Sequence, residues 1–322
     1  MILITGGLGF IGPHAARALL DQGESCVLTR RHSSRIPTFL ASELDNRVFI
    51  ERVDVADREA LLALGQRRAI TGIIHLAAGG LAGVEPLDYV RMSSQVLFNV
   101  LEAAQRWDVG RVCLASTIGV YAGALHHAGP VHEDTPLPLQ ASAPLSIPTV
   151  KRSAELLSGF VGAHTPVEVI NMRFSAIWGP LGRDQSPFFA APALVHAAVR
   201  GTRLALSDRQ LNRYADDAID TCYVRDCARA IALLQTTDTL SHTTYNIGGG
   251  RATSNAELLT AIRDAVPDTE TELPAGRDPD GPGCDTWLDI SRLRNDTGYR
   301  PEYPAGRAVS DYVAWLRAGN DR

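Results

Sequence analysis

The chain opens Met1-Ile2-Leu3-Ile4-Thr5-Gly6-Gly7-Leu8-Gly9-Phe10-Ile11-Gly12. The apolar run Ile2 to Thr5 predicts a strand, and the residues after Gly12 predict a helix to about Gln22. Between them, Gly6, Gly9 and Gly12 allow a tight turn and let the backbone approach a pyrophosphate. Amide groups at the helix start would then hold that charge. Gly6, Gly9, Phe10, Ile11 and Gly12 are therefore candidate residues for binding a dinucleotide.

The pattern repeats outward from this loop. Further strands are predicted at Cys26–Thr29, Val48–Val53, Gly72–Ala77, Arg111–Ala115 and Val167–Met172, with helices over Tyr89–Arg106 and Val150–Val161. Strands alternating with helices predict a Rossmann-type, doubly wound parallel α/β sheet that binds ligands beyond its strand ends. After Trp178 the regularity changes. Helices are predicted over Pro187–Val199, Arg225–Leu234, Ser254–Ala265 and Ala308–Leu316, with strands at Ile219–Val224 and Tyr245–Ile247. The expected division is a dinucleotide-binding domain over 1–175 and a smaller substrate-binding lobe over 176–322, with some chain crossing between them. Leu125–Pro148 and Pro274–Gly283 read as surface loops.

Composition narrows the function. The 322 residues carry a net charge of −5 without a basic block, which argues against a dedicated nucleic-acid binder. No run of roughly 18 apolar residues suggests a membrane span. The first residues do not read as a leader peptide. Five scattered cysteines fit reduced thiols and a cytoplasmic location. His126, His127, His132 and Glu133 lack a helical metal-binding frame, so no metal is expected. Only one lysine, Lys151, stands among 31 basic residues.

The glycine spacing, Asp54-Val55 after the third strand and His75-Leu76-Ala77-Ala78 after the fourth resemble the extended short-chain dehydrogenase/reductase family. The likeness runs on to Tyr245-Asn246-Ile247-Gly248 and Gly298-Tyr299-Arg300-Pro301. That family includes nucleotide-sugar epimerases and dehydratases. The resemblance implies that Asp54 and Val55 contact adenine and that Leu76, Ala77 and Ala78 line the diphosphate and ribose region. It also implies a pairing surface for a homodimer along Ser93–Arg106 and Val150–Val161. Arg91, Arg106, Arg152 and Glu155 would be rim contacts there, or plain solvated charges.

The second strand ends Thr29-Arg30-Arg31-His32-Ser33-Ser34. A carboxylate near this point would favour NAD; Thr29 and two arginines favour a 2′-phosphate, hence NADP(H), with Arg30 and Arg31 as its partners.

By resemblance, Ala115-Ser116-Thr117-Ile118-Gly119-Val120-Tyr121 places Thr117 as the hydroxyl that bonds the substrate oxygen. Lys151 falls where the family's helix carries the lysine that holds the cofactor ribose. The family's catalytic tyrosine should stand four residues earlier, where the chain has Ile147. Isoleucine moves no proton, so ordinary tyrosine-dependent chemistry is closed. Tyr121, Ser146, Thr149, His126, His127 and His132 are nearby substitutes.

Ala176 and Ile219 replace the polar residues that usually grip a nucleotide diphosphate, and Arg277 is a candidate for one retained phosphate contact. Trp178, Phe188 and Phe189 suggest an apolar pocket. Together these features resemble atypical, simocyclinone-type ketoreductases of aromatic polyketide antibiotic biosynthesis. The expectation is an NADPH-dependent ketoreductase acting on a small-molecule ketone. The alternatives are a nucleotide-sugar epimerase or dehydratase with a relocated base, and a non-catalytic dinucleotide-binding sensor or scaffold.

Overall fold

A computed structural model describes all residues except 33–34, 79–83, 125–127, 140–145, 205, 207–210, 282 and 321–322. In chain order the larger layer is built from β1 (Ile2–Thr5), α1 (Gly12–Asp21), β2 (Cys26–Arg30), β3 (Val48–Arg52), α2 (Arg58–Arg67), β4 (Gly72–His75), α3 (Pro86–Arg106) and β5 (Arg111–Thr117). Then come β6 (Gly129–Val131), α4 (Ser146–His164), β7 (Glu168–Phe174), β8 (Ala176–Trp178), α5 (Ala191–Arg200), β9 (Ala218–Ile219) and β10 (Thr221–Tyr223). The chain ends with α6 (Val224–Thr236), β11 (Thr244–Ile247), β12 (Thr253–Ser254), α7 (Asn255–Ala265), β13 (Thr286–Leu288), α8 (Ser291–Thr297) and α9 (Ala305–Arg317).

Seven parallel strands form one sheet in the order β11-β7-β5-β4-β1-β2-β3. Helices cover both faces, so its central strands are apolar on both sides; Leu3, Ile4, Val27, Leu28, Ile73 and Ile74 are fully buried. From β1 the chain winds outward one way through β2 and β3 and the other way through β4 and β5. That reversal is where an open sheet leaves a crevice. The sheet is the predicted Rossmann-type one. Its last strand and the helix packed beside α1 come from the second half of the chain, as β11 and α6.

A separate apolar core joins α5, α7 and α9 through Leu194, Val195, Leu258, Ile262, Val309 and Tyr312. These helices form a lobe beside the strand ends. Two details differ from the sequence reading. The stretch Ile219–Val224 is not one strand but β9 and β10, broken at Asp220. The break has a physical cause: the buried Asp220 carboxylate turns aside to accept N–H groups from Gly249 at 2.7 Å and Leu288 at 2.9 Å. The helix expected from Pro187 starts only at Ala191.

Candidate active site

At the crevice the glycine loop is tightly determined. Gly6 has φ +67°, and a Cβ there would lie 2.9 Å from Ala77 N. At Gly12 a Cβ would lie 2.6 Å from Gly7 O, where helix and loop touch. Thr29 Oγ1 accepts the Gly6 N–H at 3.2 Å, tying the end of β2 to the loop. No side chain caps the start of α1, which begins after Ile11 with a proline in its first turn. Its first-turn N–H groups are thus left for an anion. A glycine surface without side chains, facing an uncapped helix end, fits a dinucleotide pyrophosphate.

A cleft of about 440 Å³ runs across this loop. Gly6, Gly9, Arg30, Arg31, Asp54, Val55, Leu76, Ala77, Ala78 and Lys151 all line it, so the structure brings most of the expected cofactor residues together. Phe10 lies in a neighbouring cleft instead, and Ile11 packs on the main core. Asp54 Oδ1 accepts the Ala56 N–H at 3.0 Å, and buried Asn99 on α3 donates to Val55 O at 2.9 Å and Ala56 O at 3.0 Å. This loop is therefore held in shape at one end of the cleft. Arg31 points its guanidinium at Asp54, 4.0 Å away.

The other end of the cleft holds Ser116 and Lys151. Lys151 Nζ donates to Ala115 O at 2.6 Å, and burial pulls its ammonium down to about 8. Ser116 donates to Glu155, whose carboxylate also takes a two-pronged bond from Arg173, at 2.7 Å to Nη2. His75 lines the cleft with its Nδ1 2.7 Å from Thr5 Oγ1; burial pushes it down to about 3 and keeps it neutral. Thr117, at the end of β5, is half-buried outside this lining, and its Oγ1 accepts the Gly119 N–H at 3.1 Å. Pro148 closes on Gly119 so tightly that a Cβ there would meet its Cγ at 3.0 Å.

The proposed substitutes for tyrosine fare unequally. Tyr121 is fully buried; its hydroxyl donates to Asn246 at 2.8 Å and accepts from Arg173 at 2.8 Å. Burial pushes that phenol up to about 12, so it is a structural group. Ser146, Thr149 and His132 are exposed. His126 and His127 lie outside the described residues, as do Ser33 and Ser34. Arg277 is bound to Asp285, at 2.8 Å for its Nη2, and Ala176 is buried in the lobe core. Arg152 donates to Val120 O at 2.8 Å and Ala122 O at 2.7 Å.

A second cleft, of about 600 Å³, opens between the glycine loop and the lobe. It shares Leu8, Gly9 and Ala78 with the first, so a ligand in one abuts a ligand in the other. Arg35, Arg183, Phe188 and Phe189 line it. Trp178 also borders it, edge-on to Tyr223 with ring centres 5.3 Å apart. Among its described lining residues there is no carboxylate.

Residues 2–248 match the NAD dependent epimerase/dehydratase family. The chain belongs to this family. By family it is an NAD-binding oxidoreductase. It is 26 % identical over 329 residues to a UDP-glucuronate 4-epimerase of Thermodesulfobacterium geofontis, covering 98 % of this chain and 95 % of that one. It is 27 % identical over 326 residues to a dTDP-glucose 4,6-dehydratase of Streptomyces griseus, covering 98 % and 93 %. The solved UDP-glucose 4-epimerase of Stenotrophomonas maltophila, with bound NAD and formylated UDP-arabinopyranose, superposes with a TM-score of 0.80. That structure is 22 % identical and covers 99 % of this chain and 98 % of its own.

Family membership corrects the resemblance to simocyclinone-type ketoreductases, and with it the assignments to antibiotic biosynthesis and to a small-molecule ketone substrate. The relatives are named for nucleotide sugars. The expectation of NADP(H) is corrected as well. The family is named for NAD, and solved structures of this fold hold NAD. In the site Arg31 lies 4.0 Å from the Asp54 carboxylate, which offsets part of the positive charge a 2′-phosphate would need.

Sequence reasoning missed the partnership of Ser116, Glu155 and Arg173, and the place of Arg183 in the lining of the second cleft. A signal for the first was present. Arg173 sits inside the apolar strand β7, and a guanidinium there must find a carboxylate. No helix among the described residues is long and apolar enough to cross a membrane.

Proposed function

We propose that the protein is an NAD-dependent nucleotide-sugar epimerase or dehydratase that uses a base other than tyrosine. The observation that carries this reading is the second cleft. It adjoins the dinucleotide cleft at Leu8, Gly9 and Ala78, and among the described residues it offers Arg183 with no ion pair and a lining without a carboxylate. A nucleoside diphosphate sugar supplies the matching charge, and Phe188 supplies an apolar face for its base.

Bound NAD would supply a reversible hydride acceptor. The chain's own residues do the rest. Gly6, Gly9 and Gly12, with the backbone at Phe10 and Ile11, hold the pyrophosphate at the start of α1. Asp54 and Val55 hold the adenosine, with Arg30 and Arg31 at its edge, and Leu76, Ala77 and Ala78 wall the ribose and diphosphate. Lys151 holds the second ribose. Thr117 hydrogen-bonds the sugar hydroxyl that becomes a carbonyl at the 4-position, for which both kinds of relative are named.

We assign residues 1–175 to cofactor binding and 176–322 to substrate binding, with α6 and β11 crossing back. All five cysteines are unpaired, which supports a reducing compartment such as the cytoplasm. Leu87, Val90 and Phe98 on α3 and Leu156 and Phe160 on α4 are exposed side by side, which supports a homodimer through these helices.

The test incubates the purified protein and NAD with UDP-glucose, UDP-glucuronate or dTDP-glucose, followed by chromatography of the sugars. A 4-epimer or a dehydrated keto sugar is expected from at least one. Absence of conversion of all three, with no binding of UDP or dTDP, overturns the reading.

A further inference from the structure

Oxidising a hydroxyl to a carbonyl releases a proton as well as a hydride, and Ile147 cannot take it. Among the described residues, few titratable groups line the reacting end of the cleft. From β5, Ser116 already donates to Glu155. From β4, His75 faces the cleft but is held neutral with almost no basicity at working pH. From α3, Tyr89 lines the cleft, and burial raises its phenol. From β7, Arg173 is spent on Glu155 and Tyr121.

Lys151 differs from all of these. It lines the cleft one helical turn after Ile147, where the missing phenol would have stood beside it. The one carboxylate of its own helix within a turn, Glu155, is committed to Arg173 and Ser116. Lys151 itself has no ion pair among the described residues; its single bond is to Ala115 O. Burial lowers the hold of this ammonium on its proton more than the nearby Glu155 charge raises it, and a neutral amine is a competent base.

We propose, building on the nucleotide-sugar reading above, that the Lys151 amine is the catalytic base, accepting the sugar hydroxyl proton directly. In this step the C–H and O–H bonds break and the carbonyl forms. The electron pair leaves with the hydride to the bound NAD, and the proton forms a new N–H bond on Nζ. In an epimerase the same ammonium returns the proton when the hydride comes back on the other face. The family's tyrosine is thus replaced by its neighbour, which combines holding ribose and moving the proton.

The chain's only lysine makes the test direct. Protein labelled with 13C-lysine gives one side-chain signal, and its titration reads Lys151 without any turnover. A midpoint near 8 is expected; a midpoint at the ordinary 10.5 or above overturns the assignment. The second arm is Lys151→Arg, which keeps a cation for the ribose but cannot give up its proton. It should keep NAD binding by fluorescence titration and lose sugar conversion by about 100-fold or more. Adding Ile147→Tyr to it should restore part of the loss. Conversion retained in Lys151→Arg overturns the proposal while leaving the nucleotide-sugar reading intact. An inactive wild-type protein overturns that reading itself.

Discussion

Arg173 grips Glu155 through its Nη2 at 2.7 Å, with both side chains less than a tenth exposed. The pair joins β7 to α4, the helix that carries Lys151, and links on through Tyr121 and Asn246 to β11. Breaking one side of such a buried pair leaves an uncompensated charge. Arg173→Met should therefore destabilise the protein by about 3–5 kcal/mol in urea unfolding. A loss under about 1 kcal/mol would show that water reaches the pair freely.

Stability should fall in acid partly through His14. Its Nε2 lies 2.9 Å from Pro180 O, and its ring stacks on Phe39. Burial lowers it from 6.5 to about 4. A depressed histidine favours the fold above the unfolded value and loses that support as pH drops from 6.5 towards 4. Asp220, raised by burial from 3.8 to about 7, works in the opposite sense, stabilising at low pH and less as pH rises. The His14 share is isolated by comparison with His14→Gln. The gap between variant and wild type in unfolding free energy, measured by urea titration, should change by about 2–3 kcal/mol across that window. A pH-independent gap would refute the account.

Gly6→Ala places a Cβ 2.9 Å from Ala77 N at φ +67°. The strained backbone costs about 1–3 kcal/mol. Because the loop itself shifts, NAD affinity should drop about tenfold or more by fluorescence titration. Unchanged affinity would separate the loop from the cofactor.

Arg183→Ala removes a cation of the second cleft that has no ion pair among the described residues. A charged hydrogen bond is worth about 1.5–3 kcal/mol, so UDP binding should weaken by about 10- to 100-fold in calorimetry. Equal binding in both proteins would move the diphosphate elsewhere.

Phe160→Glu combined with Leu156→Glu places two carboxylates on the apolar face of α4, where the native side chains are 66 % and 74 % exposed. Light scattering should show a dimer for wild type and a monomer for the variant. A monomeric wild type would remove the proposed pairing.

The order of strands and helices was legible along the chain because each element carries its own periodicity and its own stop. Ile2 to Thr5 are apolar on both faces, as a central parallel strand demands. The glycine loop was legible because Gly6 and Gly12 are forced by local geometry. Lys151 stood out by being alone, and Ile147 by spacing from it. The shape of the second cleft had no such signature, since Gly9 and the stretch that carries Trp178 and Arg183 are remote in sequence. Likewise, Arg31 reads as a phosphate ligand in the sequence, and folding sets it 4.0 Å from Asp54.

Local sequence alone thus determined a strand, a glycine turn and a helix that cradle a dinucleotide, and the absence of a phenol four residues before Lys151. Only the tertiary structure decided which charges are free. Whether Glu155 serves Lys151 or Arg173, and whether Tyr121 meets ligand or core, depends on long-range packing. A side chain's electrostatic role follows its neighbours in space, which the order of residues does not display.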